Sequence, residues 1–449
     1  MLSRRKLIKI GAASVGSLAL RNFGLMPALA QSGSSNYQAL VCVFLYGGND
    51  SNNMVIPEAQ YTQYQTIRGV NNLALPTTAL TSVADKTGNG YYFHSGLVEL
   101  ANLFTSGNLA VAANVGPMLK PVTKQTITQS NVLPTNLFSH SDQQSEWQTS
   151  DPTELLKPYG WGGRAASVVQ GLNTSGFPTF LSVAGNDLFG NGPDPQLELS
   201  PGGSLNLTGF DYTLAQARSA AVNSLLSTDT GLSLVGSANG VMSQSIANAK
   251  LLSAALNGIT LKTAFPAKSN SLGQQLLQVA QIMKANQTGA GLGMTKQIFF
   301  CSLGGFDTHT GELEAHNSLY PQLSQAVNSF WNALDELGLQ NNVTLFTESD
   351  FSRTMQPTTT DGSDHAWGSH HMVLGGAVKG QKIYNKFPTF TLGASGPDDF
   401  DTRGRWIPTA AVDQYGASLI DWFGIKGADV ATVFPNLGTF GANPLTFFS

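Results

Sequence analysis

The chain has 449 residues with 24 Lys or Arg against 28 Asp or Glu, a formal net charge of −4, and only 12% of its side chains are charged. The first thirty residues carry five Lys or Arg and no acid, which leaves 19 basic and 28 acidic side chains, −9, in the remainder. That balance argues against a nucleic-acid partner, because neutralising a phosphate backbone takes clustered positive charge, and two cysteines are too few for a disulfide scaffold.

The N-terminus reads MLSRRKLIKIGAASVGSLALRNFGLMPALA, with paired Arg4 and Arg5, an apolar middle, and the small-residue pattern Ala28, Leu29, Ala30. This is an export signal with cleavage expected after Ala30. Ser3 before the arginines and Leu7 after them point to the twin-arginine machinery, which places the mature chain, 31–449, in the periplasm or outside the cell. The apolar stretch is short for a bilayer span, and no later stretch is long and apolar enough to make one.

Continuous Val/Ile/Leu/Phe runs predict strands over 38–46, 109–115, 178–183, 297–303, 342–348 and 372–378. Continuous rather than alternating apolar residues imply burial on both faces of the sheet. Helices with a 3.6-residue apolar period fit 96–105, 214–227, 240–256, 271–286, 312–337 and 411–423. The clearest is 312–337, where Leu319, Leu323, Val327, Phe330, Leu334 and Leu337 share a face. The expectation is an α/β fold, a three-layer α/β/α sandwich around a mostly parallel sheet. Residues from about 185 to 290 are Gly/Ser/Asn-rich and then helical, and read as a cap-like insertion beside the sheet rim. GAGLGM at 289–294 precedes a strand, so it is not a nucleotide loop. Cys42 and Cys301 each fall inside a predicted strand, and form either one disulfide or two buried thiols.

Three apolar runs end in an aspartate: ALVCVFLYGGND at Asp50, QIFFCSLGGFDTH at Asp307 and VTLFTESD at Asp350. The carboxyl ends of strands in an open α/β sheet form one rim where ligands collect. Downstream, SDHAWGSHH holds Asp364, His365, His370 and His371, and with His309 these are four of the chain's seven histidines. Carboxylates mixed with imidazoles are the ligand set of zinc and similar divalent ions. Gly304 and Gly305 let the chain turn sharply so that Asp307 and His309 face the rim. Asp307 as a helix-start acid is the alternative, and for Asp50 the alternative is a purely local turn role.

Glu312 and His316, four apart on the following helix, read as a solvated pair. Arg353 either binds an anion or pairs with Glu348 or Asp350, and the pairing is the preferred reading. In 137–150, Ser139, His140, Ser141 and Asp142 are too close in sequence to make a triad. Ser139 at a loop-to-helix junction is either a metal-activated nucleophile or a helix cap. Arg164 in GWGGRAA binds an anion or a scaffold carboxylate.

LYGGNDSNNMVIP, FSHSDQQSEWQ, GWGGRAA, GGFDTHTG, SDFSRT and SDHAWGSHHMVLGGAVKG, behind the twin-arginine leader and in that order, resemble a group of exported bacterial proteins related to the alkaline phosphatase and sulfatase superfamily. The resemblance implies an α/β/α core with one or two divalent ions, usually zinc, acting on a small anionic phosphate or sulfate ester. Carried over, Asp50 is the ligand after the first strand, Asp307 and His309 bind the first metal, and Asp350 is the acid of the next strand. His365 or His371 is the late histidine ligand, Ser139 the nucleophile, and Arg164 the holder of a non-bridging oxygen. The chain departs from that pattern where Asp350 is followed by Phe351 instead of histidine, so Asp364 or His365 has to complete a second site. Neither cysteine lies in a CxPxR context, and Ser141 and Ser51 are alternative nucleophiles. Two functions follow from the resemblance: a metal-dependent hydrolase, or a non-catalytic envelope or extracellular protein that keeps the fold and a metal for structural or binding purposes.

Overall fold

The computed structural model describes residues 37–129, 132–151, 159–194, 196–199, 215–228, 231–288 and 292–449. The export signal, 1–30, the start of GAGLGM and part of the insertion lie outside the described residues. Twelve strands are described: β1 Gln38–Tyr46, β2 Val55–Pro57, β3 Leu80–Ala84, β4 Gly90–His94, β5 Leu109–Gly116, β6 Phe180–Ser182, β7 Leu197–Glu198, β8 Lys296–Gly304, β9 Val343–Ser349, β10 Ser369–Leu374, β11 Lys382–Tyr384 and β12 Ala410–Ala411. The helices that matter below are α1 Tyr61–Arg68, α2 Val98–Thr105, α3 His140–Thr149, α4 Trp161–Val169, α5 Ser271–Gln287, α6 Glu312–Leu337 and α7 Val412–Phe423.

The main sheet runs β11-β5-β10-β9-β1-β8-β6-β7, with β12 added on β5. All its pairings are parallel except those of β10, which runs antiparallel to both β5 and β9. The central strands β9, β1 and β8 are almost wholly buried, β1 along its whole interior. That is the pattern of strands covered on both faces.

Successive side chains alternate across the sheet. Leu40, Cys42 and Phe44 of β1 join Phe300 and Phe346 in a core with Trp147, Trp161, Tyr415 and Phe434. Trp161 sits at its centre, 4.6 Å from the Phe189 ring, 5.4 Å from Phe434 and stacked 5.5 Å from Phe346. Its indole N–H donates to Glu348 Oε1 at 3.2 Å, which gives a wholly buried carboxyl a partner. Burial pushes that carboxyl well above the usual carboxylate range, so it is held neutral. On α6, Leu323, Val327, Phe330 and Leu334 are buried as the periodicity predicts, and Gly338 at φ +66 ends the helix in the left-handed conformation that releases no Cβ strain.

The six predicted strands and six predicted helices are all present. The helix α5, read from sequence as the end of the insertion, packs against β8 and α6, with Leu276, Val279, Ile282 and Met283 at zero exposure. A small antiparallel sheet, β2-β4-β3, had no legible signal, because its strands are only three to five residues long and two of them, β3 and β4, are partly exposed.

Register decides the cysteines. Cys42 lies opposite Phe300, and Cys301 lies opposite Val43. Side-by-side residues share a face, so a one-residue offset puts the two sulfurs on opposite faces of the sheet. Both are free and buried. We expect Ellman's reagent to find no reactive thiol in the folded protein and two after denaturation without reductant; no thiol in the second case would mean a disulfide.

Candidate metal centre

The rim is assembled by register. Leu45 of β1 lies opposite Leu303 of β8 and Ser349 of β9, so the three strands end level. Gly47 follows at φ +112, and a Cβ there would sit 2.4 Å from the backbone nitrogen of Asp307. Only glycine lets the two loops cross this closely. The Gly47 N–H donates to Asp350 Oδ1 at 3.1 Å, which ties the third loop to the first.

Asp307 Oδ1 is the focus. His309 Nε2 lies 3.3 Å from it, His140 Nε2 3.4 Å and His365 Nε2 3.6 Å, while His309 Nε2 and His365 Nε2 are 2.9 Å apart. The donor atoms of His140, Asp307 and His365 all lie within 4.8 Å of one another. A zinc tetrahedron with ligand bonds of about 2.0–2.1 Å has edges of about 3.3–3.4 Å. The Asp307 edges to His309 and His140 have that length, the edge to His365 is longer at 3.6 Å, and the His309–His365 edge is shorter at 2.9 Å.

The other ring nitrogens fix what each Nε2 carries. His140 Nδ1 donates to Asp350 Oδ2 at 2.7 Å, His309 Nδ1 to Asp364 Oδ1 at 3.1 Å, and His365 Nδ1 to the Phe138 carbonyl at 2.7 Å. Carbonyls and carboxylates only accept, so each Nδ1 bears a hydrogen, and a ring in its neutral form turns an Nε2 lone pair inward. Lone pairs and a carboxylate oxygen facing one another are an arrangement that a shared cation would stabilise, and Arg353 already lies 3.1 Å from that oxygen. Outer acceptors that orient ligand imidazoles are the usual companions of a metal site. Asp350 is itself held by Gln144 Nε2 at 2.7 Å, and Asp364 by Arg403 at 2.5 Å. Phe138 adopts φ +77 to aim its carbonyl, a conformation that costs a bulky residue about 1–2 kcal/mol.

Burial and the charges around the cluster pull its groups in different directions. The hydrogen bond to Asp350 raises the His140 pKa against the opposing effect of burial. Burial lowers that of His365. Burial raises Asp307, but Arg353 and the three histidines outweigh it and hold the carboxyl below its ordinary value. The Asp307 side chain is 50% exposed and His309 45%, so the centre opens to solvent.

Asp50, expected to ligate, makes its contacts elsewhere. Arg68 donates to both its oxygens at 2.7 Å and to Glu312 Oε1 at 3.2 Å, and all three side chains are completely buried. Burial resists ionisation of Asp50, and Arg68 overcomes it. Burial and the Asp50 charge push Glu312 upward, so one guanidinium balances one carboxylate and Glu312 stays protonated. The second carboxyl oxygen of Glu312 is hydrogen-bonded by Thr308 at 3.2 Å and by Ser363. Glu312 and His316 are therefore not a solvated pair: both have zero exposure, because this turn of α6 faces the sheet. His316 stacks on Tyr320 at 4.7 Å, and burial lowers its pKa to about 3.

The remaining expected residues separate. His371 is buried against Trp147 and Tyr415 on the far side of β10, with neither ring nitrogen hydrogen-bonded. His370 accepts from the Asn114 N–H at 2.9 Å. Arg164 directs its guanidinium at the carbonyls of Val433, Thr149 and Tyr159, between 2.6 and 2.9 Å, and so bonds backbone rather than an anion or a carboxylate. Ser139 immediately precedes α3, makes no cap hydrogen bond, and donates to Asp142 at 2.6 Å. Arg353 pairs with Asp307 at 3.1 Å rather than with Glu348 or Asp350, and its Nε and second terminal nitrogen are buried without partners. Sequence reasoning passed over His140 as a member of a crowded local run; its position at a helix start was the available signal.

A family model described as protein of unknown function (DUF1501) matches residues 99–396. No curated protein matches the sequence. Among solved structures, the chain is similar to Ps i-CgsB in complex with k-i-k-neocarrahexaose, at 10% identity over 91% of this chain and 75% of that one, TM-score 0.39. It is also similar to a Bacteroides thetaiotaomicron protein from work on the metabolism of multiple glycosaminoglycans, at 11% identity over 79% and 70%, TM-score 0.32. A mutant TAB5 alkaline phosphatase with Mg bound in its M3 site matches at 9% identity over 78% and 94%, TM-score 0.28.

Removing Arg68 strands a buried charge. We expect Arg68→Met to cost about 3–5 kcal/mol in urea unfolding. Adding Asp50→Asn should restore part of that loss, and no recovery would mean that Arg68 acts through packing.

Proposed function

The chain belongs to the family described as protein of unknown function (DUF1501), and we propose that it is an exported metal-dependent hydrolase of phosphate or sulfate esters or a related small anionic substrate. The carrying observation is the convergence of His140, His309 and His365 on Asp307 Oδ1 at 3.3–3.6 Å, with the donor atoms of His140, Asp307 and His365 all within 4.8 Å of one another. Three imidazoles and one carboxylate suit zinc better than calcium or magnesium, which take oxygen ligands. When bound, such an ion supplies Lewis acidity at a non-bridging ester oxygen.

The chain's own residues supply the rest. Asp350, Asp364 and the Phe138 carbonyl hold the three imidazoles in one tautomer. Arg353 is the positive charge beside Asp307. Ser139 remains the nucleophile candidate: Asp142 accepts its hydroxyl hydrogen, and the start of α3 favours negative charge on its oxygen. Asp50, Glu312 and His316 form a second cluster of possible ligands, but one ion is favoured over two, because Arg68 already neutralises Asp50 and hydrogen-bonds the protonated Glu312. The leader motif supports twin-arginine export to the periplasm or beyond, and the ordered motifs support kinship with the alkaline phosphatase and sulfatase superfamily.

One observation favours the second reading, an envelope or extracellular protein holding a metal for structural or binding purposes: Arg164 is committed to backbone carbonyls, and Arg353 is itself fully buried. Elemental analysis of protein folded in its native host should find one zinc per chain. Asp307→Ala and His140→Ala should lose it, and Asp350→Asn should weaken binding by about 10–100-fold, the cost of removing an outer partner. Turnover of 4-nitrophenyl phosphate or sulfate that is abolished in Asp307→Ala supports hydrolysis. Full zinc occupancy with no turnover of either ester selects the second reading, and no bound metal defeats both.

A further inference from the structure

A cavity of about 300 Å³ opens beside the metal centre. Its walls include Tyr46, Gln144, Gln148, Asn186, Asp187 and Asn191. Gln144 also donates to Asp350, the carboxylate that orients His140. His140 and Gln144 are four apart on α3, so the cavity begins roughly 6 Å along that helix from the metal centre.

The cavity is built rather than incidental. Its far wall, 186–191, is clamped to α4 by the Gly160 N–H on Asn191 O and the Gly163 N–H on Phe189 O, both at 2.9 Å. A Cβ at Gly163 would lie 2.1 Å from that Asn191 oxygen, so the GWGG segment is what permits the contact. Gln148 is locked by two backbone N–H groups on its Oε1, at 3.0 and 2.9 Å, and its amide nitrogen is turned toward the Tyr46 hydroxyl at 3.4 Å. Asp187 is 5% exposed. Its Oδ1 accepts from the Gly190 N–H at 2.6 Å, and its Oδ2 has no hydrogen-bond partner. A buried carboxylate oxygen with no donor is costly unless a ligand supplies one.

The chemistry of the walls selects the ligand. Amides and hydroxyls both donate and accept, which matches hydroxyl groups that do the same. Among the described residues no Lys or Arg lines the cavity, and Asp187 repels an anion, so the charged ester group belongs at the metal centre. Leu188 is the one aliphatic wall residue, too little for a lipid or aryl body. We infer that the substrate is a phosphate or sulfate ester of a polyol or saccharide, with its anionic head at the metal centre and its hydroxyl-bearing body in this cavity. This rests on the hydrolase reading for the head, but not for the body.

Two measurements keep the two readings apart, using the full metal-loaded chain with Asn186→Ala and Asp187→Asn, neither of which belongs to the metal centre. In turnover, the KM for hexose 6-phosphates and 6-sulfates should rise up to about tenfold in the variants, the loss of one hydrogen bond, while kcat and the kinetics of 4-nitrophenyl esters stay unchanged. In direct binding by ligand-observed NMR, neutral methyl gluco-, galacto- and mannopyranosides and myo-inositol should include at least one ligand of the wild type that the variants bind up to about tenfold more weakly. Binding of this kind without ester turnover would sink the hydrolase and keep the subsite. Ester turnover with aryl and hexose esters equally affected in the variants, or no neutral polyol bound by the wild type, overturns the subsite and leaves the hydrolase standing.

Discussion

The level ending of three parallel strands, pinned at Gly47, is the constraint on which the site depends. The β1-β8 and β1-β9 registers bring Leu45, Leu303 and Ser349 abreast, so the loops carrying Asp50, Asp307 and Asp350 leave the sheet at one height. Gly47 then passes under Asp307 too closely for any side chain, while its N–H holds Asp350. A one-residue slip in either pairing would turn every inward side chain of that strand outward. The candidate metal centre and the hydrophobic core therefore share one geometric condition.

Above that edge, two charge clusters solve different problems. The inner one, Asp50 with Arg68 and a protonated Glu312, is closed to solvent and balanced internally, and it ties α1 and α6 to the end of β1. The outer one is half-exposed and collects lone pairs with no matching internal cation other than Arg353. A buried carboxylate near a guanidinium satisfies itself. Three imidazoles whose hydrogens are already committed outward do not.

The helix α3 connects centre and cavity. Its first residue, His140, faces Asp307, the next turn presents Gln144 to Asp350 and the cavity, and Gln148 reaches the 186–191 loop. A single rigid element thus sets the distance between the two. Asp187, buried with an unpartnered oxygen, is the kind of polar vacancy that scaffold requirements alone leave unexplained.

The sequence by itself determined the sandwich, its long strands and helices, the strand-end position of three aspartates, and Asp307 beside His309. Those follow from apolar periodicity and from short loops where local spacing is spatial proximity; the choice of His365 over His371 does not. It did not determine which charges neutralise which. Asp50 and Arg68 are eighteen residues apart and Glu312 lies far beyond them, so their pairing exists only once α1 and α6 pack on the sheet. Tertiary structure alone likewise brought His140 to Asp307 across more than 160 residues, sent His371 into the core on a β10 that runs antiparallel, and turned Arg164 toward backbone carbonyls. Burial and pairing are properties of contacts between distant segments, and no local pattern encodes them.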